Sequence, residues 1–411
     1  MSERELNYIQ AKSKLEKYGQ EDLLKFYDEL TVEGKDRLLQ QINDLDMSIL
    51  DVLNQKQDHM DEITPLSALE IPEIEKHKEE YYQIGMDAIQ SGKVAAVLLA
   101  GGQGTRLGVD KSKAMVNIGI TKTLYIMECI IHNLLEVVND SGKWIHLFIM
   151  TSDKNHECII EFLQQEQYFG YNKDMIHFFV QEMNPTVSLD HKFMLEAKDT
   201  ISKSPNGNGG WFYSLTRAGL LDKIKKEKIE WLNIFAIDNV LQKIADPYFV
   251  GATIKHQCEA GAKVIKKASP TERIGVVCRR NGRPSIVEYY EMTDAMIHER
   301  DEQGNLSYQF GVILNYLFQV KKLEEVADLK IPLHIVKKKV DTVNEYGIVE
   351  KPVQENGYKF ETLVLDQIEM MDHCLMYEID REKEFAPIKN MFGNDSIETA
   401  QELLRKNGVS L

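Results

Sequence analysis

The stretch VAAVLLAGGQGTRLG, residues 94–108, places seven consecutive apolar residues directly before a loop with four glycines. An apolar run of this length, bounded by glycines, is typical of a strand buried on both faces of a sheet. Glycine allows a ligand to approach the main chain closely, and exposed N–H groups in such a turn suit phosphate oxygens. The stretch therefore predicts a phosphate-binding loop, with an ordinary tight strand–helix turn as the alternative.

Further along the chain, apolar runs of strand length alternate with longer helical patterns, which predicts an α/β fold with a largely parallel sheet. The first 60 residues show helical spacing in Leu23, Phe26, Tyr27 and Leu30 and again from Leu38 to Leu45, with a turn at LTVEGKD between them. Residues 60–80 are predicted to be a connecting arm. The runs that predict strands are 145–151, 231–238, 262–267 and 285–291, followed by TLVLD (362–366) and CLMYEID (374–380).

These patterns predict a helical N-terminal segment and arm at residues 1–90, a catalytic domain at 91–330 and a small C-terminal α/β domain at 331–411. The net charge of −16 argues against nucleic acid and anionic membranes as partners. The chain has no apolar run of about 18 residues, and its first residues are charged. Five scattered cysteines without a CxxC pair indicate reduced thiols and a cytoplasmic protein. We expect a monomer or a weak homo-oligomer.

The loop does not match three common nucleotide-binding patterns. The dinucleotide pattern GxGxxG has Leu107 at its third glycine, and no acidic residue ends a second strand about 20 residues later, so an NAD-dependent oxidoreductase is disfavoured. The P-loop and the kinase glycine loop fail as well, because their downstream lysine and DFG residues are missing. The pattern that remains is LxxGxGTRLGxxxPK. Here it reads LLAGGQGTRLGVDKSK, with Ser112 at the proline, Lys113 at the lysine and Ala114 where glycine often follows.

That loop resembles the one in sugar nucleotidyltransferases, and several longer segments extend the resemblance from about residue 20 to residue 390. They are SPNGNGG (204–210), FAIDNVLQKIADPYFVG (235–251), GAKVIKKASPTERIGVVC (261–278), VEYYE (287–291) and EFAPIKN (384–390). The chain is similar to the UDP-sugar pyrophosphorylase family, and within it to the eukaryotic-type UDP-N-acetylglucosamine pyrophosphorylases. The resemblance implies a Rossmann-like nucleotidyltransferase core of the GT-A-like kind with a mixed, mostly parallel sheet, flanked by N- and C-terminal parts.

The resemblance implies a uridylyltransferase that makes a UDP-sugar and pyrophosphate from UTP and a sugar-1-phosphate, with Mg²⁺ as cofactor. Such chemistry needs positioned cations more than covalent groups. The implied phosphate-contacting residues are Arg106, Lys113 and Lys389. Those implied to bind the nucleotide are Leu99, Ala100, Gly101, Gly102, Gly104, Thr105, Gln181 and Gly207. Those implied to bind the sugar are Asn208, Gly275, Glu288 and Asn315, and the metal ligands are Asp238 and Asp366.

Several of these residues also have a purely structural interpretation. Asp238 ends an apolar strand, where a carboxylate binds Mg²⁺ or caps the next helix. The amide of Gln181 can pair with a pyrimidine edge, or it can be an exposed loop side chain. Arg106 and Lys113, each taken alone, are also able to be solvated surface cations. Lys389 lies in the predicted C-terminal domain, which would act as a lid if this lysine reaches the phosphates.

The segment FGVILNYLF (310–318) departs from the pattern AGNICNHFF of the resembled enzymes, because Val312 replaces the first asparagine while Asn315 keeps the second. Loss of that amide removes hydrogen-bonding groups from the implied sugar wall. Glucose-1-phosphate, galactose-1-phosphate and the N-acetylhexosamine phosphates therefore all remain open as substrates, and the resemblance favours N-acetylglucosamine-1-phosphate. A catalytically weak sugar-nucleotide-binding regulator on the same fold is the alternative from another functional class.

Overall fold

The computed structural model describes residues 2–53, 61–102, 104, 107–108, 111–327, 329 and 331–411. The chain divides into two compact units. The larger one comprises Asp61–Gln181, Trp211–Lys330 and Val364–Leu411, and the smaller one Met1–Met60, Glu182–Gly210 and Ile331–Leu363. The predicted boundaries near residues 90 and 330 differ from this division, because residues 61–90 and 364–411 group with the larger unit and residues 331–363 with the N-terminal segment.

Helices are distributed over both units. In chain order they are α1 Glu3–Tyr18, α2 Val32–Asp44, α3 Ile49–Leu53, α4 Ile71–Lys76, α5 Lys78–Gln90, α6 Ile126–Ser141, α7 His156–Gln165, α8 Trp211–Arg217, α9 Leu220–Lys226, α10 Pro247–Lys255, α11 Asp294–His298, α12 Val320–Val326, α13 Asp366–Glu369, α14 Arg381–Glu384 and α15 Ile397–Lys406. Within the described residues, no helix has the length and apolar character needed to cross a bilayer.

Strands are likewise present in both units. In chain order they are β1 Ile63–Pro65, β2 Val94–Leu99, β3 Leu147–Thr151, β4 Ile176–Val180, β5 Met183–Pro185, β6 Val187–Ser188, β7 Leu195–Ala197, β8 Thr200–Ile201, β9 Lys203–Pro205, β10 Trp231–Ala236, β11 Ala260–Lys266, β12 Val276–Arg280, β13 Arg283–Val287, β14 Phe310–Gln319, β15 His334–Lys338, β16 Thr342–Val343, β17 Val349–Glu350, β18 Gly357–Glu361 and β19 Cys374–Glu378.

The larger unit contains a mixed sheet in the order β1-β12-β14-β10-β2-β3-β4, with β13 paired to β12 and with β11 joining β14 to β19. The neighbours β10, β2, β3 and β4 run parallel, whereas β14 is antiparallel to β10. The α/β fold with a mixed sheet is thus confirmed. β19 pairs in parallel with β11, so the CLMYEID strand belongs to this sheet and not to a separate domain.

Helices cover both faces of this sheet, which explains the continuous apolar run of β2. Ala96 and Leu98 pack on the face that also buries residues of α5, α6, α7, α10 and α15. Val97 and Leu99 pack on the opposite face with residues of α8, α9, α12 and α13. A strand buried on both faces does not alternate apolar and polar residues. All six residues of β2 are buried.

The smaller unit combines the N-terminal helices with short strands. It contains a three-stranded sheet in the order β15-β18-β6 and three strand pairs, β5-β9, β7-β8 and β16-β17. Its core includes Leu15, Leu38, Ile42 and Phe360. Residues 21–24 and 27–29 form 3₁₀ turns and not the predicted regular helix. The predicted LTVEGKD turn is also wrong, because Thr31 caps α2 by accepting a hydrogen bond from the amide of Gly34 at 3.2 Å.

Two other segments differ from their predicted structure. The predicted arm includes β1, α4 and the first turn of α5, all of which belong to the larger unit. TLVLD is not a strand, because β18 ends at Glu361 and Asp366 begins α13. Short apolar runs are compatible with either a strand or a buried turn, and only the neighbouring elements decide between them.

Candidate active site

The glycine loop begins where β2 leaves the sheet. The amide of Ala100 donates to the carbonyl of Met150 at 2.8 Å, so Ala100 extends the ladder by one residue beyond Leu99. A Cβ at Gly101 would lie 3.0 Å from Oε1 of Gln181, whereas a Cβ at Gly102 would meet no atom of the described residues within 4 Å. Among the described residues, the loop therefore begins with main chain that the Gln181 amide overlies at Gly101 and that stays uncovered at Gly102.

Gln181 reaches this position because it directly follows β4, two strands away from β2. Its amide N–H donates to the Thr151 carbonyl at 2.8 Å, which anchors the residue at the carboxyl edge of β3. The side chain is mostly buried, with 8% exposed. The structure thus brings Gln181 to the glycine loop, as expected if both contact one ligand.

The described residues in the rest of the loop hydrogen-bond to one another. Gly104 donates to the carbonyl of Lys111 at 3.0 Å, and Leu107 donates to the carbonyl of Gly104 at 2.8 Å. Gly108 has a φ of +67°, and a Cβ there would lie 3.3 Å from Cε of Met391. Thr105 and Arg106, which carry two of the predicted roles, lie outside the described residues.

Lys113 and Asp238 lie together at the carboxyl edge of the sheet. Nζ of Lys113 is 3.8 Å from Oδ2 of Asp238, and the two side chains are 14% and 25% exposed. Lys113 follows β2 along the glycine loop, and Asp238 follows β10, the parallel neighbour of β2. Since the carboxyl ends of parallel strands meet at one edge, this arrangement places a cation and a carboxylate in the region where such sheets bind ligands.

Asn155 is a component of the loop that the sequence did not reveal. It is buried, and its amide Nδ2 donates to the Ala100 carbonyl at 2.9 Å and lies 3.5 Å from Oγ of Ser112. Asn155 thus connects the beginning of the glycine loop to the residue before Lys113. Its only sequence signal is a position shortly after β3, which many loop asparagines share.

The segment that carries Lys389 lies against Asp238. The amide of Ile388 donates to the Asp238 carbonyl at 2.9 Å. The ammonium of Lys389 is 3.6 Å from Oδ2 of Asp395, and its side chain is 43% exposed. The structure therefore brings the backbone of this segment to the Lys113–Asp238 pair, with the Lys389 side chain ion-paired at its surface.

Gly275, Glu288 and Val312 form a second group, at the β12–β13 hairpin. A Cβ at Gly275 would lie 3.4 Å from Oε1 of Glu288, and the amide of Val312 donates to the Gly275 carbonyl at 2.9 Å. Burial and then the charges of Glu288 and Glu291 raise the pKa of the Tyr290 phenol. The tightest neighbour of a Cβ at 275 would be Cγ2 of Ile286, at 3.1 Å, so a side chain here would displace Ile286 while only touching the Glu288 carboxylate.

Asp366 lies near this second group and not at the end of a strand. It begins α13 with only 5% of its surface exposed. Its charge contributes to the raised pKa of Tyr290, after the larger contributions of burial and Glu288. Within the part of the chain that the structure describes, no three His, Cys, Asp or Glu residues cluster as a metal cage. The role of Asp366 as a second metal ligand stays a prediction.

Asn315 requires a correction. Its side chain is fully buried, and Oδ1 accepts a hydrogen bond from Nδ2 of Asn233 at 2.8 Å. Its Nδ2 donates to the carbonyl of Lys243 at 3.2 Å and to Oε1 of Gln242 at 3.4 Å. A fully buried amide with these partners has no surface left for a sugar, so Asn315 is a structural residue of the core.

Gly207 and Asn208 belong to the smaller unit. Gly207 has a φ of +84°, and a Cβ there would lie 2.2 Å from the carbonyl oxygen of Thr362. Gly209 donates to the same oxygen at 2.9 Å, and Asn208 begins a short 3₁₀ turn. The close approach of residue 362 is a structural reason for the glycine, and the predicted ligand roles of Gly207 and Asn208 stay predictions.

A mixed α/β sheet with a glycine loop, a lysine and an aspartate at the carboxyl edge of its parallel strands is the architecture of a nucleotide-binding α/β protein. Comparison with known proteins identifies the family. The model of the UDPGP family, described as UTP–glucose-1-phosphate uridylyltransferase, matches residues 43–403. The chain belongs to this family.

Individual relatives extend over most of the chain. It is 33% identical over 420 residues to UDP-N-acetylglucosamine diphosphorylase 2 of Arabidopsis thaliana, covering 95% of this chain and 82% of that protein. It is 33% identical over 374 residues to UDP-N-acetylglucosamine pyrophosphorylase of Saccharomyces cerevisiae, covering 87% and 78%. The crystal structure of uridine diphosphate N-acetylglucosamine pyrophosphorylase from Trypanosoma brucei matches with a TM-score of 0.81 at 26% identity, covering 98% and 84%.

Proposed function

We propose that this protein is a uridylyltransferase that makes a UDP-sugar from UTP and a sugar-1-phosphate. A phosphate oxygen of the sugar-1-phosphate attacks the α-phosphorus of UTP in line. The bond from that phosphorus to the bridging oxygen breaks, and pyrophosphate leaves with the electron pair. Family membership supports this reaction, and the observation that carries it is the Lys113–Asp238 pair beside the glycine loop.

The groups around the loop suit a nucleotide triphosphate. The open main chain at Gly102 allows phosphate or ribose to approach, and the Gln181 amide above Gly101 has one donor and one acceptor face for a uracil edge. Lys113 supplies a point charge for the α-phosphate, where negative charge is redistributed during transfer. Arg106 and Lys389 are proposed to contact the leaving pyrophosphate and the sugar phosphate.

We propose Mg²⁺ as the cofactor, with Asp238 as its protein ligand. A partly exposed carboxylate at this edge fits the hard oxygen chemistry of Mg²⁺, which is usually held by one or two carboxylates together with substrate phosphates and water. When bound, the ion would neutralise charge on the phosphate oxygens. Lys113 lies beside Asp238. A Mg²⁺ ion held by Asp238 and the ammonium of Lys113 would therefore place two positive charges against the same phosphate group.

The proposed sugar is N-acetylglucosamine, because relatives that bear its name match most of the chain. Glu288 can accept hydrogen bonds from sugar hydroxyls, and Gly275 leaves room for the ring against the main chain. Val312 stands where the resembled enzymes have a hydrogen-bonding asparagine, and the loss of that amide keeps glucose-1-phosphate or galactose-1-phosphate as the alternative substrate. Both alternatives are compatible with the same Glu288, because each of these sugars carries hydroxyls from which a carboxylate can accept hydrogen bonds.

Pyrophosphate release with UTP, Mg²⁺ and a panel of sugar-1-phosphates tests the proposal. The panel contains glucose, galactose, N-acetylglucosamine and N-acetylgalactosamine phosphates. Fastest release with an N-acetylated sugar is the expected result, and fastest release with glucose or galactose phosphate would establish the alternative. Folded protein that binds UTP but releases no pyrophosphate with any sugar would contradict the proposed enzyme and favour a binding protein.

A further inference from the structure

One lysine of the central sheet is completely buried and paired with two carboxylates. Lys263, in β11, has no exposed surface, and its Nζ lies 2.7 Å from Oε2 of Glu384 and 2.9 Å from Oδ2 of Asp246. Lys243, which is half exposed, places its own ammonium 3.7 Å from Oε1 of Glu384. We call Lys263, Asp246 and Glu384 the buried ion cluster. Burying such charges costs several kcal/mol, so their attraction must offset a large desolvation penalty.

The members of the buried ion cluster lie on elements that lead to the candidate active site. Asp246 caps α10 by accepting from the amide of Tyr248 at 3.1 Å, at the end of the loop that begins with Asp238. Glu384 is the last residue of α14 and directly precedes residues 385–389, the segment that carries Lys389. The cluster therefore connects two site-bearing loops through the side chain of Lys263.

Asn239 attaches the same segment at a second place. Its Oδ1 accepts from the amide of Ala386 at 2.9 Å, and its Nδ2 donates to the carbonyl of Glu384 at 2.7 Å. Asn239 is the immediate neighbour of Asp238, whose carbonyl accepts from Ile388 at 2.9 Å. Residues 384–388 are thus attached by backbone groups to the residues next to Asp238, and by the Glu384 carboxylate to Lys263.

We propose that Lys263 is a positioning residue for uridylyl transfer, acting through Glu384 to hold the segment of Lys389 in place relative to Asp238. The inference rests on the proposed function for its catalytic consequence. Apolar residues could fill this volume with a smaller desolvation cost, whereas an ion pair with hydrogen bonds specifies one arrangement. Transfer between two anions depends on such placement, because small displacements of a charged group cost large factors in rate.

The first test is amide hydrogen exchange in the full-length Glu384→Gln variant. Glu382→Gln is the matched control, because Glu382 is on the same helix but exposed, and its ion pair with Lys406 at 3.7 Å lies at the surface. We expect exchange at Ala386 and Ile388 to become at least about tenfold faster in Glu384→Gln and to stay unchanged in the control. Unchanged exchange at both amides in Glu384→Gln would overturn the inference, whatever the activity of the enzyme.

The second test is a double-mutant cycle between Glu384→Gln and Lys389→Ala. We expect Glu384→Gln to lower kcat about tenfold with the KM for UTP within about twofold, and to lower it less than twofold when Lys389 is already alanine. Independent losses that multiply in the double variant would show a merely structural role and overturn the inference. If the Glu384→Gln variant does not fold, Glu384→Asp replaces it in the double-mutant cycle. Aspartate keeps the negative charge, but its shorter side chain moves the carboxylate away from Lys263.

The two proposals fail in different ways. A Lys389→Ala variant with wild-type kcat would overturn both the phosphate role of Lys389 and the positioning role of Lys263. Absence of pyrophosphate release from the wild-type protein would contradict the proposed function. In that case the exchange rates at Ala386 and Ile388 still decide whether Glu384 holds the segment.

Discussion

Ser112 stands where the resembled loop pattern has proline, and its surroundings give this departure a local explanation. The residue is buried, and Asn155 places its Nδ2 within 3.5 Å of the serine hydroxyl while also bonding to Ala100. A side-chain hydrogen bond therefore restrains the loop where a proline ring would restrain it through φ. This bond restrains the residue directly before Lys113, so Lys113 still lies next to Asp238 although the proline is absent.

Replacing Lys113 with alanine should lower kcat by at least about a hundredfold, because a positioned cation is lost from the transferring phosphate. The fold should survive, since the ammonium of Lys113 lies 3.8 Å from Asp238 at the carboxyl edge of the sheet and not in the apolar core. Pyrophosphate release and thermal melting measure the two effects. Lys122→Ala, at an exposed position of the same connection, is the control. Wild-type turnover in Lys113→Ala would remove Lys113 from the site.

Gln181→Ala should weaken UTP binding and reduce the preference for UTP over CTP, because the amide above Gly101 would no longer contact the base edge. We expect the ratio of kcat/KM for UTP and CTP to fall by about tenfold or more, the usual effect of removing a hydrogen bond that reads a ligand. Gln83→Ala, on the exposed surface of α5, is the control. Unchanged discrimination between the two nucleotides would rule out base recognition by Gln181.

At the scale of elements, α5 and α10 pack with almost no space between their backbones. A Cβ at Gly85 would lie 1.8 Å from the carbonyl oxygen of Pro247, and a Cβ at Gly251 would lie 1.7 Å from that of Tyr81. Both neighbours are main-chain atoms, which cannot rotate away as a flexible side chain can. The two glycines therefore set the distance between these helices, a relation that spans more than 160 residues and has no local sequence signal.

Gly85→Ala should destabilise the fold by about 2–4 kcal/mol, because the helices must separate to accommodate the methyl group. Helix propensity acts in the opposite direction by about 1 kcal/mol, so the sign of the effect distinguishes packing from propensity. Denaturant unfolding of this variant is compared with Gln83→Ala on the exposed face of the same helix. A Gly85→Ala protein as stable as the wild type would contradict the close approach of α5 and α10.

The strands β3 and β4 bring together two histidines that favour the neutral state. Nδ1 of His146, just before β3, is 3.0 Å from Nε2 of His177 in β4. Burial and then the charges of Lys223 and His146 lower the pKa of His177 from 6.5 to about 4, and burial also lowers the pKa of His146. As the pH falls from 6.5 to about 4, the unfolded chain binds protons that the folded chain does not, so stability is lost in this window.

Replacing His177 with glutamine should therefore make the melting temperature less dependent on pH between 6.5 and 4. The difference in the free energy of unfolding between wild type and variant should change by about 1 kcal/mol over this window. This value is modest because both rings are partly exposed to solvent. Thermal melting at matched ionic strength measures it, and below about pH 4 the two curves should run parallel. Identical pH profiles above that pH would contradict the role of the pair.

At the scale of the whole molecule, the chain crosses between its two compact units several times. Residues 331–363 group with the N-terminal helices, whereas 364–411 complete the large unit by adding β19 to the main sheet and α15 to its core. The prediction of a separate C-terminal domain followed from sequence order, which cannot show that a strand will pair with β11 more than 100 residues earlier. For the same reason the last segment is part of the core near Asp238.

Limited proteolysis of the native protein should not release a stable fragment that begins near residue 331. Cleavage there would separate β18 from β6 and β19 from β11, two pairings that each need residues from both sides of the cut. Mass spectrometry of the protected fragments measures this outcome. A protease-resistant fragment covering residues 331–411 would restore the predicted domain boundary.

The class of fold and the family resemblance follow from the sequence by itself, and so does the prediction of Lys113 and Asp238 as site residues, because each depends on a short motif whose residues are neighbours in the chain. A buried strand followed by glycines has few other interpretations, and the polar residue after such a strand must lie at the edge of the sheet. These inferences need no knowledge of distant segments.

Only the tertiary structure decided the burial of Asn315, the position of Asp366 and the cluster around Lys263. Each of these residues looks like an ordinary polar residue in its local sequence, and its role follows from partners brought close by long-range strand pairing. Asn315 meets Asn233 because β14 pairs with β10, and Lys263 meets Glu384 across more than 100 residues. Whether a polar group binds a ligand or stabilises the core depends on these neighbours, because burial makes its hydrogen-bond partners obligatory.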